Sequence, residues 1–89
     1  MQTENSALAP TVSAMKTGES AVITAINADG AAAAALASHG IAVGEKIRFV
    51  KSAPLGDPVQ LGVKGGNVCI RKKDAAVICV ARLQEAEKL

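Results

Sequence analysis

The sequence has no tryptophan, no tyrosine and a single phenylalanine, Phe49. Aromatic stacking on nucleic-acid bases is therefore excluded, and the core has to be packed from Val, Ile, Leu and Ala. Histidine is nearly as scarce, with His39 alone, and the two cysteines, Cys69 and Cys79, have no CxxC spacing. Each cysteine lies inside an apolar, strand-like run, which fits a reduced, buried thiol better than a disulfide framework or a zinc site. No run approaches the roughly 18 to 20 consecutive apolar residues of a membrane-spanning helix. Met1 to Pro10 also lacks the basic and apolar segments of a secretory signal. The expectation is a soluble, cytoplasmic chain that is not inserted in a membrane. A large excess of either charge is missing too: ten Lys and Arg against eight Asp and Glu leave a formal net charge of +2, too small to indicate nucleic acid.

What is present is aliphatic. Hydrophobic residues make up 49% of 89 residues, enough for one domain, and a chain of this size buries only about 60–65% of the surface its unfolded form exposes. Residues 1–14 are small and polar with a proline at Pro10, and are expected to form a flexible N-terminal extension. The domain is expected over residues 15–83, with a polar C-terminal tail over residues 84–89. Lys16-Thr17-Gly18-Glu19 supplies a turn, and Ser20 to Asn27, with Val22, Ile23, Thr24 and Ile26 β-branched, reads as a half-buried strand. Asp29 is a suitable N-cap for the alanine-rich helix Ala31 to His39, which Gly40 ends. Leu36 is the helix's one large apolar side chain, so packing rather than propensity must hold it.

Strand signals dominate the remainder. Lys46 to Lys51 alternates, with Ile47 and Phe49 on one face and Arg48 on the other. Pro54-Leu55-Gly56-Asp57-Pro58 fixes a turn, after which Val59, Leu61 and Val63 keep period 2. Gly65-Gly66-Asn67 is a hairpin signal into Val68 to Arg71. Lys72 to Ala75 reads as a turn or single helical turn, and Ala76 to Ala81 as the last strand. Five short strands with turns every eight to twelve residues predict a mainly β fold. We expect a small SH3-like β-barrel with one short helix inserted after the first strand, because closure hides sheet edges and aliphatic side chains fill the interior.

Three signatures in their order carry a resemblance: Leu36…His39-Gly40-Ile41…Gly44, then Pro54-Leu55-Gly56-Asp57-Pro58 with Val59, then Ile70-Arg71-Lys72-Lys73-Asp74-Ala75, with Gly18 ahead of the first strand. Together they resemble the FeoA family of small cytosolic proteins of bacterial ferrous iron uptake, over about Met15 to Val80. The chain departs from that pattern at His39, where leucine is usual, and at Val43, where proline is common. The resemblance implies an SH3-like barrel without enzymatic activity or cofactor. The implied partner is the membrane ferrous iron permease with its cytoplasmic GTPase domain, which makes the chain peripheral to the inner membrane through that permease. The same barrel is similar to the C-terminal domain of iron- and manganese-dependent repressors, so a metal-responsive or nucleic-acid-binding module is the alternative.

Candidate site residues follow. Leu36, Ile41, Leu55 and Val43 lie in or beside turns, where apolar side chains are less easily buried, and they read either as lids of the core or as a shallow contact patch made by the helix and the proline turn. Arg71 and Lys72, with Lys73, Lys64 and Arg48, read either as a solvated strand end partly offset by Asp74 or as a basic patch suited to anionic lipid headgroups, nucleic acid or an acidic protein surface. The resemblance implies the last. His39 is the one candidate metal ligand, set against a C-capping role at the helix end. Gly65-Gly66 runs into a strand rather than a helix, which argues against a phosphate loop. No acid and base pair suggests catalysis, and edge strands leave a homo-oligomer open.

Overall fold

A computed structural model describes residues 10–83. Five strands, β1 (Ser20–Ile26), β2 (Lys46–Ser52), β3 (Val59–Val63), β4 (Gly66–Ile70) and β5 (Ile78–Arg82), form one antiparallel sheet in the order β4-β3-β2-β1-β5. Helix α1 (Gly30–Ala37) joins β1 to β2, the single turn α2 (Lys72–Ala75) joins β4 to β5, and a 3-10 turn at Val12–Ala14 precedes β1. The register shifts between Ile23 and Ala25 against β5, and between Phe49 and Lys51 against β2's other neighbour β3. Such bulges sharpen twist and bend a strand, so five short strands curl round one core in the expected SH3-like manner. Ile23, Ile41, Ile47, Leu61, Ile78 and Val12 are its most deeply buried large side chains. No polar residue is buried with them among the described residues.

Local chemistry explains α1. Asp29 Oδ1 accepts the Ala32 N–H at 2.8 Å, which satisfies one of the orphan donors at the helix start. At the other end Gly40 adopts φ +88°, and two bonds close the turn: Gly40 N–H to the Ala37 carbonyl at 2.9 Å and Ile41 N–H to the Leu36 carbonyl at 3.0 Å. This is the pairing of a Schellman motif, whose usual apolar contact joins the residues at those same two positions. Leu36 and Ile41 are that pair, and both are buried in the core cluster.

Several boundaries differ from the sequence expectations. Residues 10–14 are not an extension: Val12 is fully buried, Met15 nearly so, Val80 N–H donates to the Pro10 carbonyl at 3.0 Å and Thr11 bridges Cys79. The edge of β5 needs a hydrogen-bonding neighbour and the core needs an apolar cover, and this segment supplies both. The expectations for residues 1–9 and 84–89 lie outside the described residues. The hairpin turn is Lys64-Gly65, one residue earlier than expected, and the glycine with positive φ is Gly66 at the start of β4. β5 starts at Ile78 because Ala76 and Val77 N–H groups still bond back to Lys72 and Asp74. The buried-thiol expectation fails at Cys69, which is exposed on the outward face of β4. Cys79 is half-buried and accepts the Asn27 side-chain N–H at 3.5 Å.

Candidate functional site

Two loops distant in sequence meet at one end of the sheet. The proline turn is closed by Gly56 N–H to the Ala53 carbonyl at 2.7 Å and Ala53 N–H to the Pro58 carbonyl at 3.0 Å. Gly56 takes φ +87°, a conformation that costs an L side chain about 1 kcal/mol. Leu55 stands at the tip, 92% exposed. Fifteen residues on, Asp57 Oδ1 accepts the backbone N–H of Lys72 at 3.0 Å. That bond caps the first turn of α2 from outside, since Arg71 at its N-cap makes no side-chain cap. It also docks the proline turn onto α2. A Cβ placed on Gly56 would lie 3.9 Å from Lys72 Nζ, so the ammonium group reaches over the turn beside Leu55. Arg71, with Asp57, Pro58, Cys69 and Ile70, lines a shallow cleft of about 420 Å³ next to it.

Leu55, Arg71 and Lys72 are therefore all exposed on the two loops that the Asp57 bond docks together, with Lys72 over Gly56 and Arg71 in the cleft beside Asp57. Leu36 and Ile41 are not part of this surface. Both point into the core as the helix-closing pair, at 7% and 0% exposure, so the expected apolar patch of helix and proline turn does not form. Val43 is exposed in the loop after α1. The broad basic patch divides as well: Lys64 and Arg48, with Lys46 and Ser20, line a separate groove of about 480 Å³ on the outer face of β1 to β3. Gly62 pairs with Arg48 there, and its missing side chain opens the trough.

His39 is exposed at the end of α1, beside a cleft of about 330 Å³ that it shares with Gly40, Asn67 and Val68. Its backbone N–H donates to the Leu36 carbonyl at 3.0 Å, as expected of a helix-ending residue. No group of three or more His, Cys, Asp or Glu among the described residues is placed to hold a metal ion. Asp57 is the residue that sequence reasoning missed. An Asp before a proline reads as a turn former, and nothing local announces that its carboxylate will cap a helix fifteen positions away.

The FeoA domain model matches residues 11–82. The chain belongs to the FeoA family. Among solved structures, this FeoA-family chain is similar to the FeoA protein from Chlorobium tepidum, at 31% identity and a TM-score of 0.79, covering 84% of this chain and 71% of that one. It is similar to the iron(II) transport protein A from Clostridium thermocellum at 31% identity and a TM-score of 0.79, over 83% of this chain, and spans 46% of that one. A manganese-dependent transcriptional repressor shares the fold at 21% identity, with a TM-score of 0.77, over 85% of this chain and 42% of its own length. No curated protein matches the sequence. The match also begins at residue 11, in keeping with the place of Val12 in the core.

Proposed function

We propose that this chain is an accessory protein of bacterial ferrous iron uptake. It acts by docking on the cytoplasmic GTPase domain of the membrane ferrous iron permease, rather than by catalysis, and works at the cytoplasmic face of the inner membrane through that contact. Membership of the FeoA family supports the iron-uptake role. No helix among the described residues is long and apolar enough to cross a membrane, which is consistent with a peripheral place. The observation that carries the docking surface is Leu55, 92% exposed in a turn that Asp57 locks against α2, with Lys72 and Arg71 beside it. An ordered apolar tip with a cationic rim has the anatomy of an interface anchor: central apolar burial supplies affinity, and the rim supplies steering.

Burying a leucine stabilises a complex by about 1.5–3 kcal/mol, which corresponds to roughly 10- to 150-fold in affinity. Leu55→Ala is expected to weaken capture by the permease's cytoplasmic domain on that scale. Arg71→Glu with Lys72→Glu is expected to abolish capture at low salt. Retention of both variants at the level of the parent chain overturns the proposal.

A further inference from the structure

The sheet has two edges, and among the described residues only one is covered. At β5, Pro10 accepts the Val80 N–H and Thr11 forms a bridge to Cys79. At β4 no described segment lies alongside. The Val63 to Gly66 pair closes a two-residue turn, so it must be a hydrogen-bonded pair, because the other ladder pattern would need a bond within the turn itself. Alternation along the ladder makes Leu61 with Val68 and Val59 with Ile70 hydrogen-bonded pairs as well. The N–H and C=O groups of Asn67 and Cys69 therefore face away from β3. Neither residue makes any other backbone bond among the described residues, and both are exposed.

Soluble proteins normally protect such an edge with lysine, proline, a bulge or a covering segment. β4, Gly66-Asn67-Val68-Cys69-Ile70, has no charge, no proline and no register shift against β3. What flanks it is basic: Lys64 before the strand, and Arg71, Lys72 and Lys73 after it, all exposed. The nearby acids, Asp57 and Asp74, are two against these four cations, so the surroundings of the strand stay basic. Two copies pairing β4 antiparallel would set Lys64 of each against the Arg71 to Lys73 run of the other, and like charges across a strand pair repel.

We propose that the free edge of β4 receives an extended strand from a partner protein, with acidic residues on both sides of an uncharged stretch. Main-chain bonds to Asn67 and Cys69 hold it, as in other cases of strand addition. Lys64 and Arg71 select its ends; Lys64 stands in the turn level with Gly65, so at about 3.4 Å per residue the two are roughly 20 Å apart along the strand, which sets the acidic positions about six residues apart. This does not depend on the iron-uptake reading, because probe and readout need only this chain and a peptide.

The test titrates the full chain, isotope-labelled for NMR, with the blocked peptide Asp-Glu-Val-Thr-Val-Thr-Val-Glu-Asp, and follows amide hydrogen exchange. The expected result is new protection at the Asn67 and Cys69 amides. Backbone N-methylation of one alternate set of peptide residues is expected to weaken binding about tenfold or more, and methylation of the other set to leave it unchanged, because only one set faces β4. Cys69→Pro removes an outward donor without touching the ladder to β3, and is expected to weaken binding similarly. Four outcomes overturn the proposal: no binding at millimolar peptide; equal binding by both methylated sets; equal binding when the acids are replaced by lysine; or self-association of the free chain with the same two amides protected, which assigns the edge to a second copy.

Discussion

Leu36, in α1, and Leu55, in the proline turn, are the same residue type, yet they are predicted to respond oppositely to truncation. Leu36 sits in the core cluster at 7% exposure, while Leu55 is 92% exposed. Leu36→Ala removes three buried carbon groups at about 0.8 kcal/mol each and leaves a cavity whose cost adds to that, for a total of roughly 2–5 kcal/mol. Alanine's better helix propensity returns only a few tenths. Leu36 is also the apolar partner of Ile41 in the motif that ends α1, so its loss unfastens the one large side chain holding an otherwise exposed alanine helix. Against a total stability of about 4–13 kcal/mol for a domain of this length, that is a large fraction. Urea unfolding followed by circular dichroism is the assay. With a slope near 1 kcal/mol/M, the Leu36→Ala midpoint is expected to fall by about 2 M or more, and its Tm by at least 8 °C. Leu55→Ala is expected to stay within about 0.5 kcal/mol of the parent. Equal midpoints for the two variants would refute the assignment of Leu36 to the core and Leu55 to the surface.

Other outcomes follow from the same geometry. Asp29→Ala removes the cap on Ala32 and is expected to lower stability by about 1 kcal/mol, read as a Tm drop of about 4–8 °C. Val12→Ala is expected to cost about 1–2.5 kcal/mol in urea unfolding, because Val12 is fully buried; a change below 0.5 kcal/mol would return residues 10–14 to the role of an extension. In the native protein, mass spectrometry after brief iodoacetamide treatment is expected to find Cys69 alkylated well before Cys79, in line with exposure; equal rates would contradict the placement of the two thiols. Asp57→Ala is expected to cost about 1–2 kcal/mol and to loosen Lys72 from the proline turn, seen as faster hydrogen exchange at the Lys72 amide.

Much of the fold was legible because its signals are local. Period-2 alternation places Ile47 and Phe49, and Val59 and Leu61, on inward faces by the geometry of the strand alone, and all four are buried. Asp29 and Gly40 act within a few residues of themselves, so capping chemistry sufficed to find both ends of α1. Where sequence reasoning failed, the deciding contact was distant. Val12 looked like part of a polar tail until the edge of β5 required a neighbour. Ile41 looked like a loop residue until the closing turn of α1 carried it beneath the sheet. Cys69 sat in an apolar run, but β4 is an edge strand whose outer side faces solvent.

The candidate site divides the same way. Gly56 and the two prolines determine by themselves that a rigid turn presents Leu55, since the conformational limits of those residues are intrinsic. That Arg71 and Lys72 stand beside Leu55, while Leu36 and Ile41 do not, was decided only by the tertiary structure. A single carboxylate, Asp57, meets a backbone N–H fifteen residues away, and apolar burial claims the other two side chains for the core. Residue type and spacing along the chain set the turns and the strand faces of this FeoA-family domain. Which exposed side chains become neighbours depends on how the bulged sheet curls, a long-range outcome that no local pattern records.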